Sequence, residues 1–362
     1  MIKNKNKIVI ATGGTGGHIF TSVSLSNFLS KDYQVEFITD KRGLNYFDKN
    51  KNFNVNVINS SPIFSKNIFK VILGLIKFFF ATISSLSLLI KLKPKLIIGM
   101  GGYSSVGVCL AGFFLKIPFI IYENNLVIGR ANRLLLPISK KILVSTKSIE
   151  GIKKKYQNKV FLSGFFLRKE VFQIKKIYLN EQEEKLSILI IGGSQSAKVF
   201  GEHLPKIIKK CCENNIKFKI YQQCLDHQKD KLNKIYKELN LDFELFTFTN
   251  NLLKFYEKAD FAITRSGASS LAELVNLKIP FITIPLPSSI DNHQLKNAMY
   301  FEHKGYCLIV EQKYIFEKLF ETLKDLNQNR NKLINFKEKM AKHSDQEALP
   351  ITKELIERLL NV

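Results

Sequence analysis

Short apolar runs alternate with longer amphipathic stretches from one end of the chain to the other. The first half contains KIVIA, VEFIT, KLIIGM, FIIYE and KILVS, and the alternation restarts after Ser163 with LSILIIGG, KFKIYQ, DFAITR and PFITIP. β-Branched runs of this length, separated by helical spacers, predict parallel strands joined by crossover helices. The sequence therefore predicts an α/β protein with a doubly wound sheet in each half.

The two halves also begin alike. KIVIATGGTGGHIF and LSILIIGGSQSAKVF each read as a strand, a Gly-Gly turn, a hydroxyl residue and a helix. A chain of 362 residues is too long for one ordinary core. We expect one domain over residues 1–163 and a second over 164–345. The segment 346–362 has helical periodicity at Ile351, Leu355 and Leu359, and we expect it to pack back on the first domain.

Charge and cysteine content narrow the class of protein. The formal net charge is +24, but only seven of the 55 basic residues are Arg, and the lysines are spread along the whole chain. Because Arg is the usual choice for bidentate phosphate and base contacts, we expect no nucleic-acid partner and keep an anionic membrane surface as a candidate.

The five cysteines form no C-x-x-C pair, which favours reduced thiols in the cytosol. The start, MIKNKNKIVI, predicts no signal peptide.

Glycine-rich turns follow several predicted strands in the first half. TGGTGGH and GMGGYSS both end strands, and backbone amides at such turns bind anions without any side chain. A nicotinamide-binding turn is an alternative: Gly14 and Gly16 begin its pattern and Asp40 is placed as a ribose acid, but position 19 is Ile rather than Gly. A tight turn without any ligand is a further alternative. Glu123, at the end of FIIYE, is either functional or a buried carboxylate satisfied by loop amides.

The second half has polar clusters at the corresponding places. IGGSQSAK and TRSGASSLAEL each follow a strand, and DNHQLKNA follows PFITIPLP. Ser270 and Glu273 have the S-x-x-E spacing of a capping box, which is a purely structural interpretation. In the functional interpretation, the small residues 266–270 admit a diphosphate to the helix N-terminus, and Glu273 accepts hydrogen bonds from a ribose.

Taken together, TGGTGGH, GMGGY, YENN, GGSQ-x-A, RSGA-x-x-x-x-E and D-x-H-Q-x-x-N-A resemble the MurG family of glycosyltransferases in order and spacing. The resemblance covers nearly the whole chain. It implies a GT-B fold, in which two Rossmann-like domains face each other across a cleft, and inverting transfer of N-acetylglucosamine from UDP-N-acetylglucosamine to lipid I, an undecaprenyl-linked acceptor. It also implies a peripheral enzyme on the cytoplasmic face of the inner membrane.

The resemblance also implies which residues form the site. Those that match the family's donor motifs are Arg168, Ser194, Thr249, Ala268, Ser269, Ser270, Leu271, Ala272, Glu273 and Gln294. Those that complete the site from the first domain are Thr15, Gly16, Gly17 and Asn125. His18 and Glu123 are the candidate catalytic residues. His18 either takes the proton from the attacking hydroxyl or only orients the loop.

The chain departs from the family pattern in two places. Tyr122 and Asn124 stand where the family has His and Gln, and Phe165-Phe166-Leu167 stands where it has Asn-Pro-Val. No D-x-D sequence and no Cys/His cluster with metal spacing occurs, so we expect no metal and no cofactor. Helix termini and Arg168 are then expected to stabilise the leaving UDP.

Residues 68–93 form a largely apolar stretch with lysines at heptad intervals. Its longest uncharged run, Phe78 to Ile90, is short of the roughly 20 residues that span a bilayer. We expect a helix that leaves Ile72, Ile76, Phe79 and Phe80 over for a membrane surface; the alternative is a fully buried helix.

Other functional classes stay open on the residues alone. These are a nicotinamide-dependent oxidoreductase, favoured by Asp40, and a non-catalytic binder of nucleotide sugars or nucleic acid.

Overall fold

The computed structural model describes residues 5–14, 16–47, 53–60, 68–174, 185–247, 249 and 251–361. The chain forms two compact units, residues 1–168 with 345–362 and residues 169–344. This division falls slightly after residue 163, where the sequence placed the boundary. Residues 164–168 stay with the first unit because Phe165, Phe166 and Leu167 are buried, and Phe166 joins a core of that unit.

The first unit contains a parallel sheet. Its strands are β1 (Lys7–Ala11), β2 (Gln34–Thr39), β3 (Val55–Val57), β4 (Leu96–Gly99), β5 (Phe119–Glu123), β6 (Lys141–Val144) and β7 (Val160–Leu162). They lie in the order β3-β2-β1-β4-β5-β6-β7, and every neighbouring pair is parallel. The central strands are almost fully buried, which explains why they are continuous apolar runs rather than alternating ones.

Helices connect these strands. They are α1 (Gly16–Leu29), α2 (Lys41–Leu44), α3 (Ile68–Leu92), α4 (Tyr103–Phe114) and α5 (Arg130–Leu135). Two apolar clusters, one containing Ile8 and Ile10 and the other containing Val9 and Ala11, form the core on the two faces of the sheet. Alternate side chains of β1 therefore pack into the apolar cores on opposite faces of the sheet.

The second unit repeats this plan. Its strands are β8 (Ser187–Ile191), β9 (Lys219–Gln223), β10 (Asp242–Phe246), β11 (Phe261–Thr264), β12 (Phe281–Thr283) and β13 (Cys307–Ile309). They form a parallel sheet in the order β10-β9-β8-β11-β12-β13. Its helices are α6 (Gly193–Glu213), α7 (Asp226–Glu238), α8 (Leu253–Tyr256), α9 (Ala268–Asn276), α10 (His293–His303), α11 (Ile315–Gln328) and α12 (Asn331–Ala341).

The last helix, α13 (Ala348–Leu360), belongs to the first unit. Ala348, Leu355 and Ile356 join the core cluster that contains Ile8 and Ile10. At the surface, the ammonium of Lys353 lies 2.6 Å from a carboxylate oxygen of Asp32. The chain therefore crosses from the first unit to the second and back again.

The strand order reverses at one point in each sheet, between β1 and β4 in the first unit and between β8 and β11 in the second. Turns that follow the strands at such a point leave a crevice at the carboxyl edge, where open α/β sheets bind their ligands. The prediction of two doubly wound parallel sheets is confirmed. Within the described ranges, no helix has both the length and the apolar character that crossing a bilayer requires.

Candidate active site

The two glycine-rich turns of the first unit pack against each other where the strand order reverses. The turn after β1 and the turn after β4 are adjacent because these strands are paired. A Cβ on Gly102 would lie 2.7 Å from the carbonyl oxygen of Gly13, and the φ angle of Gly102 is 79°. The hydroxyl of Ser104 donates to the carbonyl oxygen of Thr12 at 3.1 Å. Glycine is therefore needed at position 102 for both contact and conformation, and the two turns form one surface.

His18 lies at the start of α1, beside this surface. Gly16 and Gly17 form the first two positions of the helix, and Thr15 lies outside the described residues. The imidazole is half-buried, and a Cβ on Gly101 would lie 2.9 Å from its Cε1 atom. The ring therefore packs directly on the second glycine turn. Histidine is the side chain that most readily exchanges a proton near neutral pH, so this position suits an acid or base.

Glu123 ends β5 as a buried carboxylate with both oxygens bonded. One oxygen accepts from the backbone N–H of Asn125 at 3.0 Å and from its side-chain amide at 3.1 Å. The other accepts from the backbone N–H of Gly129 at 2.8 Å and from the side-chain amide of Asn132 at 3.0 Å. Of the two interpretations left open for Glu123, this geometry favours the carboxylate that holds the loop. Asn125, half-buried, is fixed by it.

The hydrogen bonds of Asp40 are structural, and they argue against the nicotinamide-binding alternative. It is the N-cap of α2, and one carboxylate oxygen accepts from the backbone N–H of Gly43 at 2.7 Å. The other accepts from the guanidinium of Arg42 at 2.8 Å. A ribose acid must offer its carboxylate to hydroxyl groups, and this one is 1% exposed and already satisfied.

In the second unit, Arg265 follows β11 and is almost fully buried. Its guanidinium donates to the carbonyl oxygens of Ile284 at 2.9 Å and Pro285 at 3.3 Å, and to the side-chain oxygen of Gln312 at 2.7 Å. Its Nε has no hydrogen-bond partner among the described residues. Burial lowers the pKa of Arg265 to about 10, which still leaves the group protonated at neutral pH. The guanidinium of Arg265 thus places a positive charge at the carboxyl edge of this sheet.

Further side chains tie the loop after β12 to the turn after β11. Ser266 and Thr283 share a hydrogen bond between their hydroxyls at 2.7 Å. The side-chain amide of Asn297, in α10, donates to the carbonyl oxygen of Ser266 at 3.0 Å. Gln294, also in α10, accepts from the backbone N–H of Leu286 at 3.0 Å. The predicted site residue Gln294 therefore holds the loop after β12, while Asn297 on the same helix holds the turn that precedes α9.

The capping-box interpretation of Ser270 and Glu273 is wrong. Helix α9 begins at Ala268, and its N-cap is Gly267, which has no side chain to cap with. Ser270 therefore lies within the first turn, and Glu273 lies in the second turn, where it accepts from the hydroxyl of Tyr256 at 3.1 Å. Because Gly267 has no side chain, no N-cap side chain bonds the amides at the start of α9.

The first residues of α9 differ in exposure. Ala268, Leu271 and Ala272 are buried against the second unit, whereas Ser269, Ser270 and Glu273 are half-buried. The buried members can act on a ligand only through their backbone, while the others also present side chains. This division matches a helix start that offers amides on one side and polar groups on the other.

Other predicted site residues are placed less closely. The side chain of Ser194 lies outside the described residues, although its backbone is in the first turn of α6. The hydroxyl of Thr249 accepts from the backbone N–H of Asn251 at 3.1 Å. Arg168 is half-buried and is the last residue of the first unit before the chain enters the second.

An apolar surface lies elsewhere on the first unit, on the packed pair α3 and α4. We define it by its exposed side chains, which are Ile76, Phe79, Phe80, Ile83, Ile90, Phe113 and Phe114. Phe79 is 63% exposed and Phe114 is 66% exposed. The fully buried alternative for this helix is therefore wrong; the side chain of Ile72 lies outside the described residues. Exposed apolar side chains grouped on one pair of packed helices are typical of a docking surface.

Sequence reasoning missed three contributors to the second unit's site, which are Arg265, Tyr256 and Asn297. Arg265 was visible as the residue directly after a buried strand, in TRSGA, and a charge at that place signals a strand-end group. Asn297 was visible as the asparagine of D-x-H-Q-x-x-N-A. Tyr256 had no such signal, because its partner Glu273 is distant in the chain.

Comparison with known proteins agrees with this architecture. Residues 8–144 match the glycosyltransferase family 28 N-terminal domain, and residues 187–355 match the glycosyltransferase family 28 C-terminal domain. A crystal structure of MurG from Acinetobacter baumannii superposes with a TM-score of 0.77 at 24% identity, covering 98% of this chain and 99% of that one. That likeness shows the fold.

Two relatives carry the name UDP-N-acetylglucosamine–N-acetylmuramyl-(pentapeptide) pyrophosphoryl-undecaprenol N-acetylglucosamine transferase. The one from Pelagibacter ubique is 36% identical over 91% of this chain and 88% of its own length. The one from Rickettsia bellii is 34% identical over 98% of this chain and 99% of its own length. The chain therefore belongs to the MurG group of glycosyltransferase family 28.

Proposed function

We propose that this protein transfers N-acetylglucosamine from UDP-N-acetylglucosamine to the undecaprenyl-linked muramoyl-pentapeptide acceptor, lipid I, in peptidoglycan synthesis. The observation that carries the proposal is the near full-length identity of 34–36% to relatives named for this reaction. The reaction is a displacement at the anomeric carbon. An acceptor hydroxyl forms the new glycosidic bond, the bond to phosphate breaks, and UDP leaves with the electron pair.

The donor would be held by the second unit. The uncapped first turn of α9 offers amides to the diphosphate, and Glu273 accepts hydrogen bonds from the ribose hydroxyls. Arg265 lies in the turn between β11 and α9 as a buried positive charge that favours the developing negative charge on UDP. Two side chains of α10 support these groups, because Asn297 holds the turn before α9 and Gln294 holds the loop after β12.

The acceptor would be held by the first unit, with its diphosphate on the joined glycine turns. His18 packs on those turns and would take the proton of the attacking hydroxyl. Glu123 does not suit that role, since four N–H groups already occupy its two oxygens. We assign Glu123 to positioning Asn125 and its loop.

The apolar surface would carry the enzyme to the membrane that contains its acceptor, on the cytoplasmic face. Its exposed aromatic side chains would enter the interface, and the exposed Lys77, Lys91 and Lys116 lie on the same two helices or directly beside them. Each lysine near an anionic surface contributes on the order of 1 kcal/mol, so the attachment should be peripheral and sensitive to salt.

The first test separates the two substrate sites. With a soluble lipid I analogue, His18→Ala should lower kcat at least ~10²-fold with little change in UDP affinity. Glu273→Ala should instead weaken binding of UDP-N-acetylglucosamine by roughly 1.5 to 3 kcal/mol, the range for hydrogen bonds to a charged group. Near-normal turnover in His18→Ala would rule out His18 as the general base.

A thermal-shift experiment tests the proposal as a whole. Shifts with NADH or an oligonucleotide, but none with UDP-N-acetylglucosamine, would contradict it.

The second test addresses the membrane. Ile76→Glu with Phe79→Glu should abolish co-sedimentation with anionic vesicles and leave UDP binding intact. The matched control is Met299→Glu with Phe316→Glu, which places the same charges at exposed apolar positions of the second unit. Equal sedimentation of the two double variants would contradict this role of the apolar surface.

A further inference from the structure

The chain crosses between its units twice, and both crossings are fastened to the first unit at one place. The outgoing chain leaves after Arg168, and the returning chain enters at Asp345. A carboxylate oxygen of Asp345 accepts from the backbone N–H of Phe165 at 3.0 Å. A Cβ on Gly164 would lie 2.9 Å from the same oxygen. One buried carboxylate therefore joins the outgoing and returning segments.

A buried tyrosine fastens the outgoing segment to the sheet. The ring of Tyr122, in β5, stacks on the ring of Phe166 with centroids 4.1 Å apart and an angle of 14° between the planes. Its hydroxyl donates to the carbonyl oxygen of Gly164 at 3.2 Å and accepts from the backbone N–H of Phe166 at 3.4 Å. Burial raises the pKa of Tyr122 well above its usual value, so the hydroxyl keeps its proton and continues to donate.

The same strand end also organises the loop of Asn125. Glu123 directly follows Tyr122, and the side-chain amide of Asn132 donates both to the carbonyl oxygen of Tyr122 at 2.8 Å and to Glu123 at 3.0 Å. Residues at the end of β5 therefore bind both the loop that carries Asn125 and the segment that leads to Arg168.

We propose that Tyr122 is a positioning residue for the transferase reaction and acts through Arg168. The group Tyr122, Gly164, Phe165, Phe166 and Asp345, here called the crossing clamp, fixes the backbone that ends in Arg168. This inference rests on the proposed function and on the family resemblance, which implies that Arg168 stabilises the UDP leaving group. A guanidinium donates hydrogen bonds to phosphate oxygens only when its N–H groups are correctly placed. Loosening the crossing clamp therefore lowers the rate without removing any group that touches substrate.

A double-mutant cycle tests this coupling. Tyr122→Phe keeps the stacked ring and removes the hydroxyl, and it should lower kcat roughly three- to tenfold, the effect of one hydrogen bond. In an Arg168→Ala background, the same change should lower kcat less than about twofold, because the residue through which Tyr122 acts is gone. Hydrogen exchange at the amides of Phe165 and Phe166 should become faster in Tyr122→Phe, with or without substrate.

The control is Tyr236→Phe, which removes another fully buried tyrosine hydroxyl, bonded to Gln222 in the second unit. It should lower the melting temperature by a similar amount but reduce kcat equally in both backgrounds. Equal losses for Tyr122→Phe with and without Arg168, or unchanged exchange at Phe165 and Phe166, would overturn the positioning role. A wild-type chain that transfers no N-acetylglucosamine would instead refute the proposed function, and the inference with it.

Discussion

At the carboxyl edge of the first unit, the turns after β1 and β4 meet backbone to backbone, whereas in the second unit the turn after β11 is joined to β12 and α10 through side chains. Gly102 approaches the carbonyl oxygen of Gly13 so closely that no Cβ fits. In the second unit, Ser266 bonds to Thr283 and Asn297 bonds to the carbonyl oxygen of Ser266. The turn after β4 is thus held by close backbone packing that excludes side chains, and the turn after β11 is held by polar side chains of neighbouring elements.

The carboxylates at these two edges differ in the same way. Glu123 is 2% exposed and is surrounded by N–H donors, while Glu273 is half-buried and accepts from a tyrosine hydroxyl. A buried carboxylate whose lone pairs are satisfied contributes to folding, and one that keeps contact with solvent can exchange water for a ligand. The two edges should therefore respond differently to substitution.

The largest expected effect is that of Glu123→Gln. The new amide would place N–H groups against the N–H donors of Gly129 or Asn132 and would remove the charge that they stabilise. We expect a loss of about 3 to 5 kcal/mol in stability, measured by chemical denaturation. Glu273→Gln, the matched change in the second unit, should cost less than about 1 kcal/mol. A stable but inactive Glu123→Gln protein would restore Glu123 as a catalytic candidate.

Gly102→Ala should come next, at about 2 to 4 kcal/mol, because the new methyl group meets the carbonyl oxygen of Gly13 in a strained backbone region. Gly14→Ala is the control: its φ angle is also positive, at 86°, but among the described residues beyond its chain neighbours no atom lies within 4 Å of the added Cβ. It should cost only about 1 to 2 kcal/mol. Equal melting temperatures for the two variants would show that the contact between the turns is not what requires glycine.

Asn297→Ala tests the side-chain network of the second unit. Asn297 is fully buried, and its removal leaves the carbonyl oxygen of Ser266 without this donor. We expect a loss of about 1 to 3 kcal/mol in stability and weaker UDP binding, since the turn before α9 loses its support. Titration calorimetry with UDP measures the second effect. Unchanged affinity would mean that the network supports folding alone.

The smallest effect is expected for Ser270→Ala. Because Ser270 lies inside α9 rather than at its N-cap, thermal unfolding should show a change within about 0.5 kcal/mol. A loss near 1 kcal/mol, typical of a removed cap, would return Ser270 to the capping role that the sequence spacing had indicated.

Much of the candidate site followed from the sequence because strand ends are local features. Apolar runs ending in glycine or polar residues located β1, β4, β5 and β11, and parallel pairing brings such ends to one edge. The exposed face of α3 was likewise predictable, since the helix has more apolar positions than one buried face requires.

The sequence by itself thus determined the two parallel sheets, the places of the glycine-rich turns and the family. Only the tertiary structure decided how each polar group is used. Glu123 and Glu273 are the same residue type at similar places in the two units. The carboxylate of Glu123 is buried and bonded to N–H groups, whereas that of Glu273 is half-buried. Tyr122 and Phe166, two separate departures from the family pattern, proved to be stacked on each other. Such pairings depend on distances between segments far apart in the chain, and periodicity carries no information about them.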